Sequence, residues 1–312
     1  MILYVHAGTH KTATTAIQAF LWTHRALLEA RGLYIPLAGL TGAAPEVGHH
    51  NVAWDIGGHA IDPNAGGVEA LLAELAERAP ERACISSEVF STLYDMPDAL
   101  LALRARFASI GAEIRPVLFF RPQAGYLEGL YAELVKHGLS ETFERFLERA
   151  IEDGSIEFND ATYGFEYDRI ADAFAGAFGR ETLSILSYDD PPRAEETIER
   201  FLAIVAPGAV DLDLTALGAW ERRNLSIGFR GVAEALVANR EGGAVDDVLD
   251  ELRPDGSVPL DGRFRPLGIA DLARVLGRFG PNNRVLLRRY GADVPVWFAK
   301  RFIDQVRRRR LA

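Results

Sequence analysis

The sequence predicts an α/β fold, a central parallel sheet flanked by helices with a mostly helical C-terminal part, all in one domain of residues 1–312. Three observations predict it. Short apolar runs alternate with helix-period segments through the first 190 residues; the first run passes directly into a Gly-Thr-His-Lys-Thr loop that opens a helix; and no strand-like run follows residue 194. In order, residues 2–6 read as a strand. Ile17, Phe20, Leu21, Leu27 and Leu28 recur at three- and four-residue intervals, which predicts a helix over 14–31, capped by Thr12 or Thr14 and stopped by Gly32. Residues 67–79 read as a helix, 83–85 as a strand ending in Ser86-Ser87-Glu88, 100–107 as a helix and 114–120 as a strand ending in Arg121-Pro122. Leu127, Leu130, Tyr131 and Leu134 share one face of a helix over 126–137; 165–178 is amphipathic and 183–186 is a fourth strand. Residues 37–67, rich in Gly, Pro, His and Asn, read as a long functional loop. Beyond 194, helices are expected over 195–204, 227–238, 244–252, 269–278 and 294–306.

Composition narrows the function. With 48% hydrophobic and 25% charged residues, the chain is an ordinary globular protein. The single cysteine, Cys84, excludes an internal disulfide and a cysteine-based zinc site. A net charge of −10 argues against a nucleic-acid partner, and no uninterrupted apolar stretch of the ~18 residues a membrane span needs occurs. The first residues lack a basic n-region, so no signal peptide is expected and a cytoplasmic location is.

In a parallel sheet ligands sit beyond the carboxyl ends of the strands, which directs attention to residues 8–15, 86–91 and 121–129. The first of these, Gly8-Thr9-His10-Lys11-Thr12-Ala13-Thr14-Thr15, joins a strand to a helix. A helix N-terminus offers N–H groups and a positive dipole end, Lys11 a charge, and Thr12, Thr14 and Thr15 hydroxyls, a donor set suited to a phosphate or sulfonate. The plainer alternative is a threonine cap beside a solvated lysine. The loop is not a Walker A motif, because His10 and not glycine precedes Lys11.

The run His10-Lys11-Thr12-Ala13-Thr14-Thr15-Ala16-Ile17-Gln18 resembles the 5′-phosphosulfate loop of PAPS-dependent sulfotransferases, with Ala13 where that family has glycine, a position expected to need a negative φ or a small distortion. The segment from Phe119 to Tyr131 is similar to the family's 3′-phosphate motif: Arg121 matches its arginine, and Gly129 stands where its serine would be. Arg222 and Arg223, before Asn224-Leu225-Ser226, match only the basic character of the family's late nucleotide-closing loop, and a helix cap with two solvated arginines is the alternative. The stretch from Asn282-Asn283-Arg284 to Tyr290-Gly291 looks like a closing helix of bacterial members.

The resemblance implies a P-loop-type three-layer fold with residues 1–190 as the nucleotide-binding core. It also implies PAPS as co-substrate, PAP as product, no metal, and a small-molecule or carbohydrate acceptor carrying a hydroxyl or, second, an amine. Lys11 would neutralise the leaving group. The base is Glu88, which resembles the glutamate base of carbohydrate sulfotransferases, or a histidine of the His49-His50 pair, with His50 the candidate. Two other readings stand beside transfer: a P-loop kinase, whose second glycine the loop lacks, and a non-catalytic nucleotide or glycan binder, suggested by Ala13 and Gly129. Asp189-Asp190 before Pro191-Pro192 is expected to be a turn, His6 a core residue, Cys84 a buried hydrophobe and Arg307 to Arg310 a solvated tail.

Overall fold

Residues Ile2–Gly8 form β1, an apolar run buried from Leu3 onward, as the central strand of a sheet covered on both faces must be. The computed structural model describes residues 1–188, 194–217, 227–245, 247, 249 and 264–291. The other strands are β2 (Arg82–Ser86), β3 (Glu113–Phe120), the pair β4 (Ser155–Phe158) and β5 (Ala161–Gly164), and β6 (Ser184–Ser187). The helices are α1 (Thr14–Thr23), α2 (Arg25–Ala30), α3 (His50–Ile56), α4 (Val68–Arg78), α5 (Pro97–Ala108), α6 (Gln123–Lys136), α7 (Phe143–Asp153), α8 (Tyr167–Phe178), α9 (Ala194–Val205), α10 (Leu214–Leu217), α11 (Phe229–Glu241) and α12 (Ile269–Tyr290). The described residues fall into two compact units, one of 1–120, 167–188, 194–217 and 285–291 and another of 121–166, 227–245, 247, 249 and 264–284.

The first unit holds a four-stranded sheet of order β2-β1-β3-β6 with every pairing parallel. His6 stands opposite Ser86 and Gly8 opposite Phe119, so the strands end along one carboxyl edge. The chain leaves β1 toward β2 on one side and places β3 on the other, which makes the gap between β1 and β3 the switch point where ligands of such sheets bind. One sheet face contributes Tyr4, Cys84, Val117, Phe119 and Leu186 to a core with Ile17, Phe20, Leu21 and Leu28 of α1–α2 and Ile198, Phe201 and Leu202 of α9. Alternate residues point the opposite way, toward α5 and α8, and Phe120 stacks on Tyr167 at 4.3 Å. The expected α/β layering is therefore observed: a parallel sheet with helices on both faces.

Three local expectations need correction. The helix expected over 14–31 breaks at His24 (φ −106°, ψ 16°), where the Arg25 guanidinium donates to the Trp22 carbonyl at 3.0 Å and takes the acceptor an unbroken helix would give to residue 26. Neither Thr12 nor Thr14 caps α1: the N-cap position is Ala13, in the left-handed region at φ +63°, so the negative φ expected there is not adopted. The loop expected over 37–67 contains α3 and is tied down throughout. Glu74 accepts from Tyr34 Oη, Leu37 N and Ala38 N, and Asn51 donates to the carbonyls of Asp62 and Gly66.

The second unit is built on α6, α7, the β4–β5 hairpin and α11. Asn159 and Asp160, both at positive φ, make the two-residue turn whose twist suits a hairpin. Tyr131, Phe143, Phe146 and Phe264 pack ring against ring, and the Tyr131 hydroxyl donates to the Glu141 carbonyl. The α7 helix and this hairpin were not anticipated. Helix α11 starts two residues after the expected 227–238 and ends three after it, while α12 runs on past the expected 269–278 and carries Pro281 within it. The expected helix over 294–306, most of that over 244–252, the Asp189-Asp190 turn and the Arg307–Arg310 tail lie outside the described residues.

Candidate active site

Beyond the carboxyl end of β1 the chain turns sharply. Thr9 N–H and Thr9 Oγ1 both donate to the Phe119 carbonyl of β3, at 3.0 and 3.2 Å, and Thr12 Oγ1 donates back to the Thr9 carbonyl at 2.5 Å. Lys11 (φ +66°) and Ala13 (φ +63°) occupy left-handed backbone, which costs a residue with a Cβ about 1–2 kcal/mol each. A methyl added at Gly8 would stand 2.6 Å from Thr12 Oγ1 and 2.9 Å from Thr14 Oγ1, so only glycine lets these hydroxyls close over the strand end. His10, Lys11, Ala13 and Thr15 are part-exposed, while Thr12 and Thr14 are buried. No side chain caps α1, and its first turn holds no acidic residue. An N-terminus of this kind, flanked by a lysine, suits an anion.

The second cluster lies where β2 ends, beside β1. Ser87 Oγ accepts from Val89 N–H at 3.1 Å and starts the 3₁₀ segment Glu88–Asp95, which fixes where Glu88 projects. Glu88 Oε2 accepts from Gln18 Nε2 at 3.2 Å and lies 4.0 Å from His50 Nδ1, which also meets Ser87 Oγ at 2.8 Å. Burial pushes the Glu88 carboxyl up; the His50 and His10 imidazoles, with hydrogen bonds from its own backbone and from Gln18, outweigh that and hold it below the usual carboxylate range. Both alternatives for the base, Glu88 and His50, are thus brought together, with His10 near enough to act on the same carboxylate. The Trp54 ring lies one helical turn along α3, 5.9 Å from the His50 ring, and is 36% exposed.

His49, the other member of the histidine pair, is a brace. Ser86 N–H donates to its Nδ1 at 3.1 Å, so its Nε2 carries the proton and donates to the Pro36 carbonyl at 3.0 Å. Burial pulls its pKa down to about 4. His6 is a core residue as expected: its Nδ1 meets Ser86 Oγ at 2.7 Å, and burial pulls it down to about 3 against a small opposing effect of the Glu88 charge. Its Nε2 has no hydrogen-bond partner among the described residues. Cys84 is fully buried, and burial pushes its thiol up.

In the second unit, Arg121 immediately follows β3. Its guanidinium lies across Gly125 in the first turn of α6: a Cβ there would stand 2.9 Å from Nε and 3.2 Å from Nη2. Gly129, one turn further, shares that helical face. Gln123 and Asn283 exchange amide hydrogen bonds at 2.9 Å in both directions, and Gln123 also donates to the Phe165 carbonyl. Arg222 and Arg223 lie outside the described residues.

Sequence reasoning missed Gly8 as a packing necessity, Gln18 as a partner of Glu88, and Gly125 as the seat of the Arg121 guanidinium. Only the last had a readable signal, a glycine four residues after the arginine. Among the described residues no group of three or more His, Cys, Asp or Glu side chains is arranged to hold a metal ion, and no helix is long and apolar enough to cross a membrane.

No family model matches the chain, and no curated protein sequence matches it. Among solved structures it is similar to the crystal structure of a sulfotransferase from Alicyclobacillus acidocaldarius. The identity is 13% and the TM-score 0.47, over 92% of this chain and 94% of that one.

Proposed function

We propose that this protein transfers a sulfuryl group from PAPS to the hydroxyl of a small-molecule or carbohydrate acceptor. One observation carries the reading: a single helix, α1, begins at an anion-suited loop and, four residues on, touches a carboxylate. Thr14 opens α1, and Gln18, about 6 Å further along it, hydrogen-bonds Glu88. An anionic donor held at the helix start and an acceptor activated at the carboxylate would therefore meet within one unit.

In this reading the Lys11-to-Thr15 loop and the start of α1 hold the 5′-phosphate of the donor, with Thr12 bracing the loop from inside. Arg121 is the proposed partner of the 3′-phosphate, a role that rests on its resemblance to the family motif, as do those of Arg222 and Arg223. Gly129 supplies no hydroxyl where the family has one. The acceptor oxygen attacks sulfur as its proton passes to the Glu88–His50 pair. The bond from sulfur to the bridging oxygen breaks, and its electron pair leaves with PAP. Lys11 neutralises the charge that builds on that oxygen, and positioning plus fixed charge supply the acceleration. Its neighbours keep the carboxylate ionised and so free to take a proton, and by the same lowering make it a weaker base than an ordinary glutamate, which leaves the proton shared with the His50 imidazole beside it.

The test is PAPS consumption by purified protein in the presence of a panel of hydroxyl acceptors. Turnover by the wild type, reduced on the order of 10²–10³-fold in Lys11→Ala with an unchanged melting temperature, is the expected result. Equal turnover in the variant, or ATP- and magnesium-dependent phosphoryl transfer in place of PAPS use, would contradict it.

A further inference from the structure

We infer that Gln18 is a positioning residue that anchors Oε2 of Glu88 and so leaves Oε1 as the oxygen that receives the acceptor's proton. The inference rests on the sulfuryl-transfer reading for the reaction it serves and on separate geometry for the contact itself. Gln18 is buried on α1, and its amide nitrogen reaches two acceptors, Glu88 Oε2 at 3.2 Å and the Ser86 carbonyl at 3.5 Å. Both are oxygens without protons to give, so the amide must present its NH₂ group to them, which fixes its orientation. The fit is tight from the other side as well. A Cβ at Gly48 would stand 2.7 Å from Gln18 Nε2 and 2.6 Å from His50 Nε2, so a bare Cα at 48 is what lets the amide and the imidazole converge on the carboxylate.

The chemistry follows from the hydrogen-bond count. A carboxylate held at one oxygen by a neutral donor keeps its charge and loses its freedom to rotate, and the remaining oxygen is aimed. The titratable groups acting on Glu88 are His50 from α3, His10 from the loop and His6 from β1, alongside its own backbone N–H. None of them is on α1, so a change confined to Gln18 is separable from theirs. Because α1 also starts at the anion-suited loop, Gln18 ties the position of the base to the helix whose first turn is proposed to hold the donor.

The experiment follows the Glu88 carboxyl by ¹³C NMR in glutamate-labelled protein, assigned with Glu88→Gln, across a pH titration of the wild type, Gln18→Met and Gln18→Glu. Met keeps the length of the side chain without a donor, and Glu replaces the donor with a like charge. The Glu88 titration is expected to move up in Gln18→Met and further in Gln18→Glu. The acid limb of the PAPS turnover profile should move with it, and kcat should fall about tenfold at unchanged KM for PAPS. A packing role alone would leave the titration where it is. Should the Met variant not fold, Gln18→Asn, one methylene shorter, withdraws the same amide from the carboxylate without touching the imidazoles and is expected to raise the Glu88 titration likewise. An unmoved Glu88 titration in folded variants overturns the inference even if PAPS is consumed. A moved titration in a protein that consumes no PAPS upholds the anchoring contact and removes the sulfuryl-transfer reading instead.

Discussion

A methyl group at residue 8 has nowhere to go: Thr12 Oγ1, Thr14 Oγ1 and His6 Nε2 would lie 2.6, 2.9 and 3.3 Å from it. Gly8→Ala is therefore expected to destabilise the fold by about 1–3 kcal/mol, read as a lower melting temperature, and to weaken PAP binding as the loop is displaced. A variant with wild-type stability would show that the hydroxyls yield freely. The buried imidazoles of His6 and His49 give the residue scale a pH signature. Their folded-state values, about 3 and about 4, lie below the ordinary 6.5. Between those limits the unfolded chain takes up protons that the native state refuses, so the stability these residues allow is complete above about pH 6.5 and is lost as pH falls toward 4. Melting curves should show a loss between pH 7.5 and 5 that is smaller in His6→Asn. An equal loss would mean that other groups govern the acid limb.

Ala13 carries the question at the scale of the element. It sits at the N-cap of α1 in a conformation that glycine adopts without cost and alanine does not. Ala13→Gly should raise stability by about 0.5–1 kcal/mol, the relief of strain less the entropy of a freer unfolded chain, measured by denaturant titration. A fall in stability would place the strain elsewhere. The same element marks how far the sequence could be read. β1 and β3 were legible because strands in the middle of a sheet covered on both faces carry long apolar runs, β2 and β6 from shorter apolar stretches, and α1, α4, α5 and α8 because their apolar residues keep a helical interval. α3 was not, since seven residues rich in polar side chains carry too few turns to show a period, and tertiary bonds from Asn51 and His49 hold it in place. α7 had a signal in Phe143, Phe146, Leu147 and Ala150, hidden by the charged residues between them, and the Asn159-Asp160 turn went unread beside it. The site divided along the same line. Lys11 could be picked out as a candidate from its type and place after a strand, and Glu88 and His50 from a resemblance to known bases, whereas the bond between Gln18 and Glu88, separated by 70 residues, required the strand order that puts β1 beside β2.

For the whole molecule, a net charge of −10 would repel the anionic nucleotide proposed as donor at long range, so in that reading attraction comes from groups within about a Debye length of it. That makes the local donor set of the loop decisive. Titration calorimetry with PAP on the wild type and Lys11→Ala puts this to the test in one measurement. Saturable binding by the wild type, weakened about tenfold or more in a variant of equal melting temperature, is the predicted result. Absence of binding to the wild type, or the same affinity in both proteins, would contradict it.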